Sequence, residues 1–427
     1  MAACAPAATQ APAEAPEEPA EPAPVEKATV VYWDVSSPEA VDGVAKAAVA
    51  DRFREKNPDI ELEVSFKPTT GDTQMSETLI TAIAAGNPPD AAYFDRFVVP
   101  TWAAEDSLTD LTDLAAGAGI KEDDYFPFAW EEASGWKDRL WSLPYDTDDR
   151  GLYYNKELVT AAGFDPEDMP VYAEDFDVLA EAMFEVDGSR MVTAGFIPWY
   201  NQGWLQTYGW SWDGKFWNKD TGEITANDPK IVASAEWVAS YAEKYDITSF
   251  ESFSSAFGSE AQNPFYTGQV AMMCTGNWEL SSLAKYAPDL DFGVQPMPYP
   301  RDGGRVATWA GGWSVVVPGG APNAEGGFRF ISYFAGPEEM DFFCRETKHI
   351  PTLKAAAANA FYTDDPNHKV FMDMLPIANT RPPVPIGQFL WTALAEARDF
   401  IIHGAKTPQE ALDDVTTNSN EEMKRYL

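Results

Sequence analysis

A chain of 427 residues is longer than one hydrophobic core usually supports, so its length predicts two domains. It carries 30 Lys and Arg against 68 Asp and Glu, a net charge of −38, and so lacks the basic footprint that nucleic acid or an anionic membrane surface would require. Cys4, Cys274 and Cys344 cannot form a disulfide framework, and His349, His368 and His403 show no metal-ligand spacing, so no metal site or cofactor is expected.

The chain starts Met-Ala-Ala-Cys4 and continues with a Pro/Ala/Glu-rich stretch whose low hydrophobicity cannot support a core, so residues 1–27 read as an extended tether. Small residues before Cys4 resemble a bacterial lipoprotein processing site, which makes Cys4 the expected lipidation point. No apolar run approaches the roughly 18 residues needed to span a bilayer. Thr29–Trp33 is β-branched and aromatic, a strand ending at Asp34, and a helix follows over 38–56. Asp59–Phe66 alternates apolar and acidic residues, the pattern of a strand with one buried face, and Ser76–Ala85 is helical. Ala91–Phe94 is a short, wholly apolar strand of the kind buried in a parallel sheet, and it delivers Asp95 and Arg96 to its carboxyl end. This alternation predicts an open α/β sheet.

Arg139–Pro166 then reads as strand, acidic loop, strand and helix, with Asn155 as cap and Gly163 closing the helix in left-handed conformation. Between the strands lies Tyr145-Asp146-Thr147-Asp148-Asp149, which by itself reads as a solvated turn. Helices are predicted near 175–185 and 229–245, the latter capped by Asp228 with Pro229 in its first turn. Val270–Cys274 is a further apolar strand, and Cys274 and Cys344 both sit in apolar runs that predict buried free thiols. Asp291–Pro296 reads as a return to the first lobe, which would carry Val306–Val317 and a helix near 325–335. From about residue 346 the pattern is helical, and the last helix opens with Thr407-Pro408-Gln409-Glu410, a capping box.

The order LPYDT, GLYYNKEL and AGFDP (143–166) resembles the lobe-to-lobe segment of extracellular solute-binding proteins of family 1, the maltose-binding-protein-like class. KNPDIELEVSF (56–66), LITAIAAGNPPDAAYFDR (79–96), FYTGQVAMMCTGNWEL (265–280), WAGGWSVVV (309–317) and GAKTPQEALDDV (404–415) continue the similarity in the family's order. The resemblance implies a periplasmic-binding-protein-like α/β fold with two open lobes and a multi-crossing hinge. The first lobe would be 28–148 and 293–345, the second 149–292 and 346–427. It further implies the substrate-binding component of an ABC importer, a monomer that captures a carbohydrate, an oligosaccharide, and hands it to membrane permease subunits. Such a protein would be periplasmic or lipid-anchored on the outer face of the cytoplasmic membrane.

Sugars present hydroxyl edges to planar acid, amide or guanidinium partners and C–H faces to aromatic rings, so a sugar site mixes both kinds of side chain. The chain holds 15 Trp, and any one of them is as readily core as ligand platform. Asp95 and Arg96 are candidates because side chains at the carboxyl ends of parallel strands reach the crevice, although adjacent Asp and Arg are commonly a surface ion pair. Trp33 and Asp34 close the first strand and join the candidate set. The resemblance adds Tyr145, Asp146 and Asp148 in the interlobe segment, Trp278 as a stacking ring, and Gly311, Gly312 and Trp313 as a turn beside the ligand. It also adds Trp391 from the second lobe, on a helix after Arg381, itself a candidate; among the aromatics in turn-like contexts, one stacking ring is expected from Trp199, Tyr200 and Trp204, and Trp309 is a further one. The Gly pair could instead serve close backbone packing alone. A glycoside hydrolase would also need paired carboxylates, but residues two apart in one loop have no evident means of separating their pKa values. The same fold could alternatively hold a glycerophosphodiester, a polyamine or a metal ion; the aromatic excess favours sugar.

Overall fold

The computed structural model describes residues 1–2, 27–67, 72–188, 190–258 and 260–426, so Cys4 and most of the predicted tether lie outside the described residues. The first sheet runs in the order Ile60–Phe66, Ala28–Asp34, Ala91–Asp95, Trp313–Val316, Leu143–Pro144. Its first three strands are parallel, and Trp313–Val316 inserts antiparallel to Ala91–Asp95. Ala91–Phe94 is buried throughout, as its apolar run predicts, whereas Ile60–Phe66 buries Ile60 and Leu62 and exposes Glu61 and Glu63. Helices Val41–Lys56, Ala324–Phe334 and Pro337–Thr347 cover this sheet through a core rich in aromatic rings, among them Tyr32, Phe53, Tyr145, Phe330, Phe334 and Phe343.

The second sheet runs Phe292–Gln295, Arg150–Asn155, Val270–Gly276, Arg190–Phe196, Glu185–Asp187. Local signals in this half hold where they were strongest: Asn155 accepts from the Leu158 N–H, Gly163 has φ 87°, and Asp228 caps the helix Pro229–Tyr245. The helix Pro408–Met423 carries the Thr407–Glu410 capping box and packs with Gly387–Ile402 on Pro229–Tyr245. Cys274 and Cys344 are buried free thiols.

Two placements differ from the sequence reading. Phe292–Gln295 pairs antiparallel with Arg150–Asn155, Gly293 opposite Tyr154, so Asp291–Pro296 stays with the second sheet and the return to the first lies at 309–313. A four-residue strand carries no record of its partner, and here the absent Gly293 side chain makes room for the Tyr154 ring, which a Cβ would approach to 2.3 Å. Residues beyond 346 do not all leave the first lobe either, because Leu353, Ala356 and Tyr362 pack in the aromatic core of the first sheet.

The crossings lie side by side. Asp146–Thr147 pairs antiparallel with Ile350–Pro351, the Gly311 N–H donates to Asp148 O at 2.9 Å, and the Arg150 N–H donates to Thr308 Oγ1 at 2.9 Å. The acidic stretch is therefore no solvated turn: Asp146 and Asp149 are 0% exposed and Asp148 7%. Neither carboxyl oxygen of Asp149 has a hydrogen-bond partner among the described residues, and burial, opposed by Arg150 and aided by Asp148, pushes its pKa well above the usual carboxylate range.

A proton held on Asp149 in the folded state stabilises the fold below the unfolded carboxyl pKa, and that contribution is lost as pH rises toward the folded pKa. Across that window wild type should lose about 1.4 kcal/mol per pH unit relative to Asp149→Asn. Urea unfolding of both proteins at several pH values checks this; parallel stability profiles would contradict it.

Candidate functional site

The crossings form the floor of a cavity of about 460 Å³ between the two sheets. Its first-lobe wall comprises Tyr93, Asp95, Phe97, Trp313 and His349. The opposite wall presents Arg150, Gln202, Trp204, Trp278, Trp309 and Trp391, and Asp148, Gly311, Gly312, Arg381 and Gln388 complete it. The Trp313 ring is backed by Tyr93, stacked with centroids 4.9 Å apart and planes 11° apart. The Trp391 ring lies 5.4 Å from Trp204 and 5.6 Å from Trp309, tilted 54° and 60° to them, so three indoles cluster in one part of the lining. Trp278 fits because residue 276 is glycine: a Cβ there would meet the indole at 2.0 Å.

The polar groups are paired before any ligand arrives. Glu132, 1% exposed, accepts from Arg96 Nε at 2.8 Å on one side and from Arg381 Nε at 2.8 Å on the other. Arg381 also reaches Asp95 Oδ1 at 3.2 Å; burial opposes its charge, but Glu132 and Asp95 more than offset this and raise its pKa. Arg96 continues to the carbonyl oxygens of Asp146, at 2.8 Å, and of Gly311. Arg150 pairs with Asp148, donates to Gln202 Oε1 at 3.2 Å and lies 3.4 Å over the Trp309 ring; burial, with Arg381 nearby, lowers its pKa despite Asp148. Asp146 accepts from the Tyr93 hydroxyl at 2.7 Å and the Trp313 N–H at 3.0 Å; burial would raise its pKa, but His349 and Lys46 outweigh that and lower it.

Ten of the residues singled out in the sequence line this cavity: Asp95, Asp148, Trp204, Trp278, Trp309, Gly311, Gly312, Trp313, Arg381 and Trp391. Gly311 and Gly312 also serve close packing, since a Cβ at either would come within 2.4 Å of Asp148 Oδ1 or Asp146 O, and Gly312 has φ 116°. The others lie off it. Arg96 and Asp146 sit behind the wall and hold it in place. Asp34 is buried under Lys46 and the Tyr32 hydroxyl. Tyr145 is core, between Phe334 and Phe343. Trp33 lies under the Lys67 ammonium at 4.2 Å, and Trp199 packs edge-on against Phe250 at 5.2 Å. Tyr200 likewise packs on Phe257, which leaves Trp204 as the cavity ring of its segment.

Sequence reasoning missed Arg150, Gln202, His349 and Gln388. One signal existed for Arg150, because residues two apart on an extended strand share a face, which pairs it with Asp148. No local signal existed for His349.

Residues 48–370 match the family described as bacterial extracellular solute-binding protein, and the chain belongs to that family. It is 27% identical over 427 residues to the sn-glycerol-3-phosphate-binding periplasmic protein UgpB of Escherichia coli K12, covering 93% of each chain. The UgpB of Pectobacterium atrosepticum is 26% identical over 429 residues, covering 93% of this chain and 91% of that protein. Among solved structures, CpMnBP1 with mannobiose bound is similar with a TM-score of 0.80 at 23% identity, covering 92% of this chain and 99% of that one. The sugar-binding protein MalE of Xanthomonas citri gives 0.74 at 20% identity, covering 93% and 98%. These structural likenesses establish the two-lobed solute-binding fold.

Removing one partner of a buried ion network leaves the other charges uncompensated, so Glu132→Ala should lower unfolding free energy by about 3–5 kcal/mol. Gly276→Ala should instead displace the Trp278 ring and weaken ligand binding about tenfold or more while leaving most of the stability in place. Urea unfolding with calorimetric titration separates the two effects; a stable Glu132→Ala protein would contradict the network's structural role.

Proposed function

We propose that this protein captures a neutral carbohydrate, an oligosaccharide, in the interlobe cavity and delivers it to the permease of an ABC importer. The observation that carries this reading is the lining itself: five indoles, of Trp204, Trp278, Trp309, Trp313 and Trp391, face one cavity together with carboxylates, amides and guanidinium groups. Rings take the C–H faces of a pyranose and the planar groups take its hydroxyls. The solved relatives named above include a mannobiose complex and a sugar-binding MalE, which supports the same class of ligand. Binding without turnover fits the cavity carboxylates, since Asp95 and Asp148 are each engaged by an Arg, an arrangement suited to holding hydroxyls.

The UgpB relatives and the presence of Arg150, Arg381 and His349 favour a second reading, a glycerol phosphate ligand. Against it, both guanidinium groups already face carboxylates, Arg150 with Asp148 and Arg381 with Glu132 and Asp95. A phosphate would have to break such pairs in a buried site, whereas a neutral polyol would only add hydrogen bonds to them. Lipidation at Cys4, a monomeric state and lobes that close as hinged units complete the proposal. Fractionating cells that express a precursor with and without Cys4→Ala tests the anchor.

A thermal-shift panel of mannobiose, mannotriose, maltose and sn-glycerol 3-phosphate tests the ligand class. A sugar at about 100 times its dissociation constant should add roughly 2.7 kcal/mol of stability. A shift with the phosphate alone would establish the second reading.

A further inference from the structure

His349 lies between the helix Pro337–Thr347 and the strand Ile350–Pro351 and lines the cavity on the Trp313 side. Its Nδ1 is 3.1 Å from Asp146 Oδ2, the same oxygen that receives the Tyr93 hydroxyl. The other oxygen of Asp146 receives the Trp313 N–H. One carboxylate thus positions the imidazole, the Trp313 backbone and the tyrosine stacked behind the Trp313 ring. A carboxylate only accepts, so this contact fixes a proton on Nδ1. Nε2 is 3.9 Å from Asp42 Oδ2, beyond hydrogen-bond range, and makes no hydrogen bond among the described residues.

We propose that His349 is a specificity-determining contact of the carbohydrate site: its Nε2–H donates to a ligand oxygen held at the Trp313 face, with Asp146 as the positioning residue. This rests on the carbohydrate reading and names the chemistry of one subsite, an oxygen acceptor. The groups facing the ring set its charge. Asp42 and Lys46 approach from the helix Val41–Lys56, Tyr93 from the first sheet, Asp146 and Asp148 from the crossing, and Lys348 adjoins it in sequence. Burial opposes the charged form, but Asp42, Asp146 and Asp148 more than offset that and raise the pKa to about 9. At neutral pH both ring nitrogens therefore carry protons. Deprotonation releases the Nε2 proton to solvent, because Nδ1–H is retained by Asp146, and converts Nε2 from donor to acceptor. The donor is lost as pH rises through about 9.

Calorimetric titration with mannobiose, mannotriose and maltose from about pH 6 to about pH 10 tests this on wild type, His349→Gln and His349→Phe. Wild-type affinity for a bound saccharide should be level to about pH 8 and then fall about tenfold or more. His349→Gln, which keeps an uncharged N–H donor, should bind with little pH dependence, and His349→Phe should bind about tenfold more weakly at all pH values. A wild-type affinity level through pH 10 overturns the inference without any variant, and so does a His349→Gln profile that superposes on wild type. If wild type binds none of the three saccharides, the carbohydrate reading itself falls and takes this inference with it.

Discussion

Glu132 is the constraint on which the rest of the site depends. A carboxylate with 1% exposure must be paired, and it is paired twice, with guanidinium groups from segments nearly 300 residues apart in sequence, Arg96 and Arg381. Arg96 spends its other donors on the carbonyls of Asp146 and Gly311, two of the strands that pass between the sheets. Arg381 precedes the helix Gly387–Ile402 that carries Trp391. One buried acid therefore ties the first-lobe sheet, the crossings and the second-lobe platform into a single electrostatic unit. The glycines at 311 and 312 follow from the same arrangement, because a Cβ at 311 would meet the Asp148 carboxylate and the Arg150 guanidinium, and one at 312 would meet the backbone of Asp146 and Thr147.

This unit shapes what the cavity can hold. Its charges are mutually satisfied at the walls, so a ligand meets hydrogen-bonding groups without meeting an unneutralised field. Such a site discriminates by the geometry of donors and acceptors and by ring stacking. The chain's net charge of −38 acts over a longer range and further disfavours anionic solutes on approach.

Much of the fold was legible in the chain because local rules had no tertiary rival. The wholly apolar Ala91–Phe94 could only be a buried strand, and the Thr407–Glu410 capping box marked its helix to the residue. Gly163 closed its helix because φ of 87° suits no other residue so well. Strand pairing was not legible: Phe292–Gln295 has no local feature that names Arg150–Asn155 as its neighbour. The site divides the same way. Asp95, Trp278 and Trp313 lie at strand ends and turns, where position alone points into a crevice, and Trp391 lies in the first turns of the helix Gly387–Ile402. Arg96 and Asp146 occupy equally suggestive positions but turn behind the wall, and that depends on Glu132, Tyr93 and His349 from other segments. A buried supporting residue and a ligand contact look alike until its long-range partners are known.

The most direct test of the account is a crystal structure grown with mannobiose and sn-glycerol 3-phosphate present together at equal concentration. The account predicts a saccharide in the cavity, with a ring face against Trp313 or Trp391 and hydroxyls on Asp95, Asp148 and Arg381, while the Asp148–Arg150 and Glu132–Arg381 pairs stay intact. A phosphate group lodged between Arg150 and Arg381 with those pairs broken would contradict it.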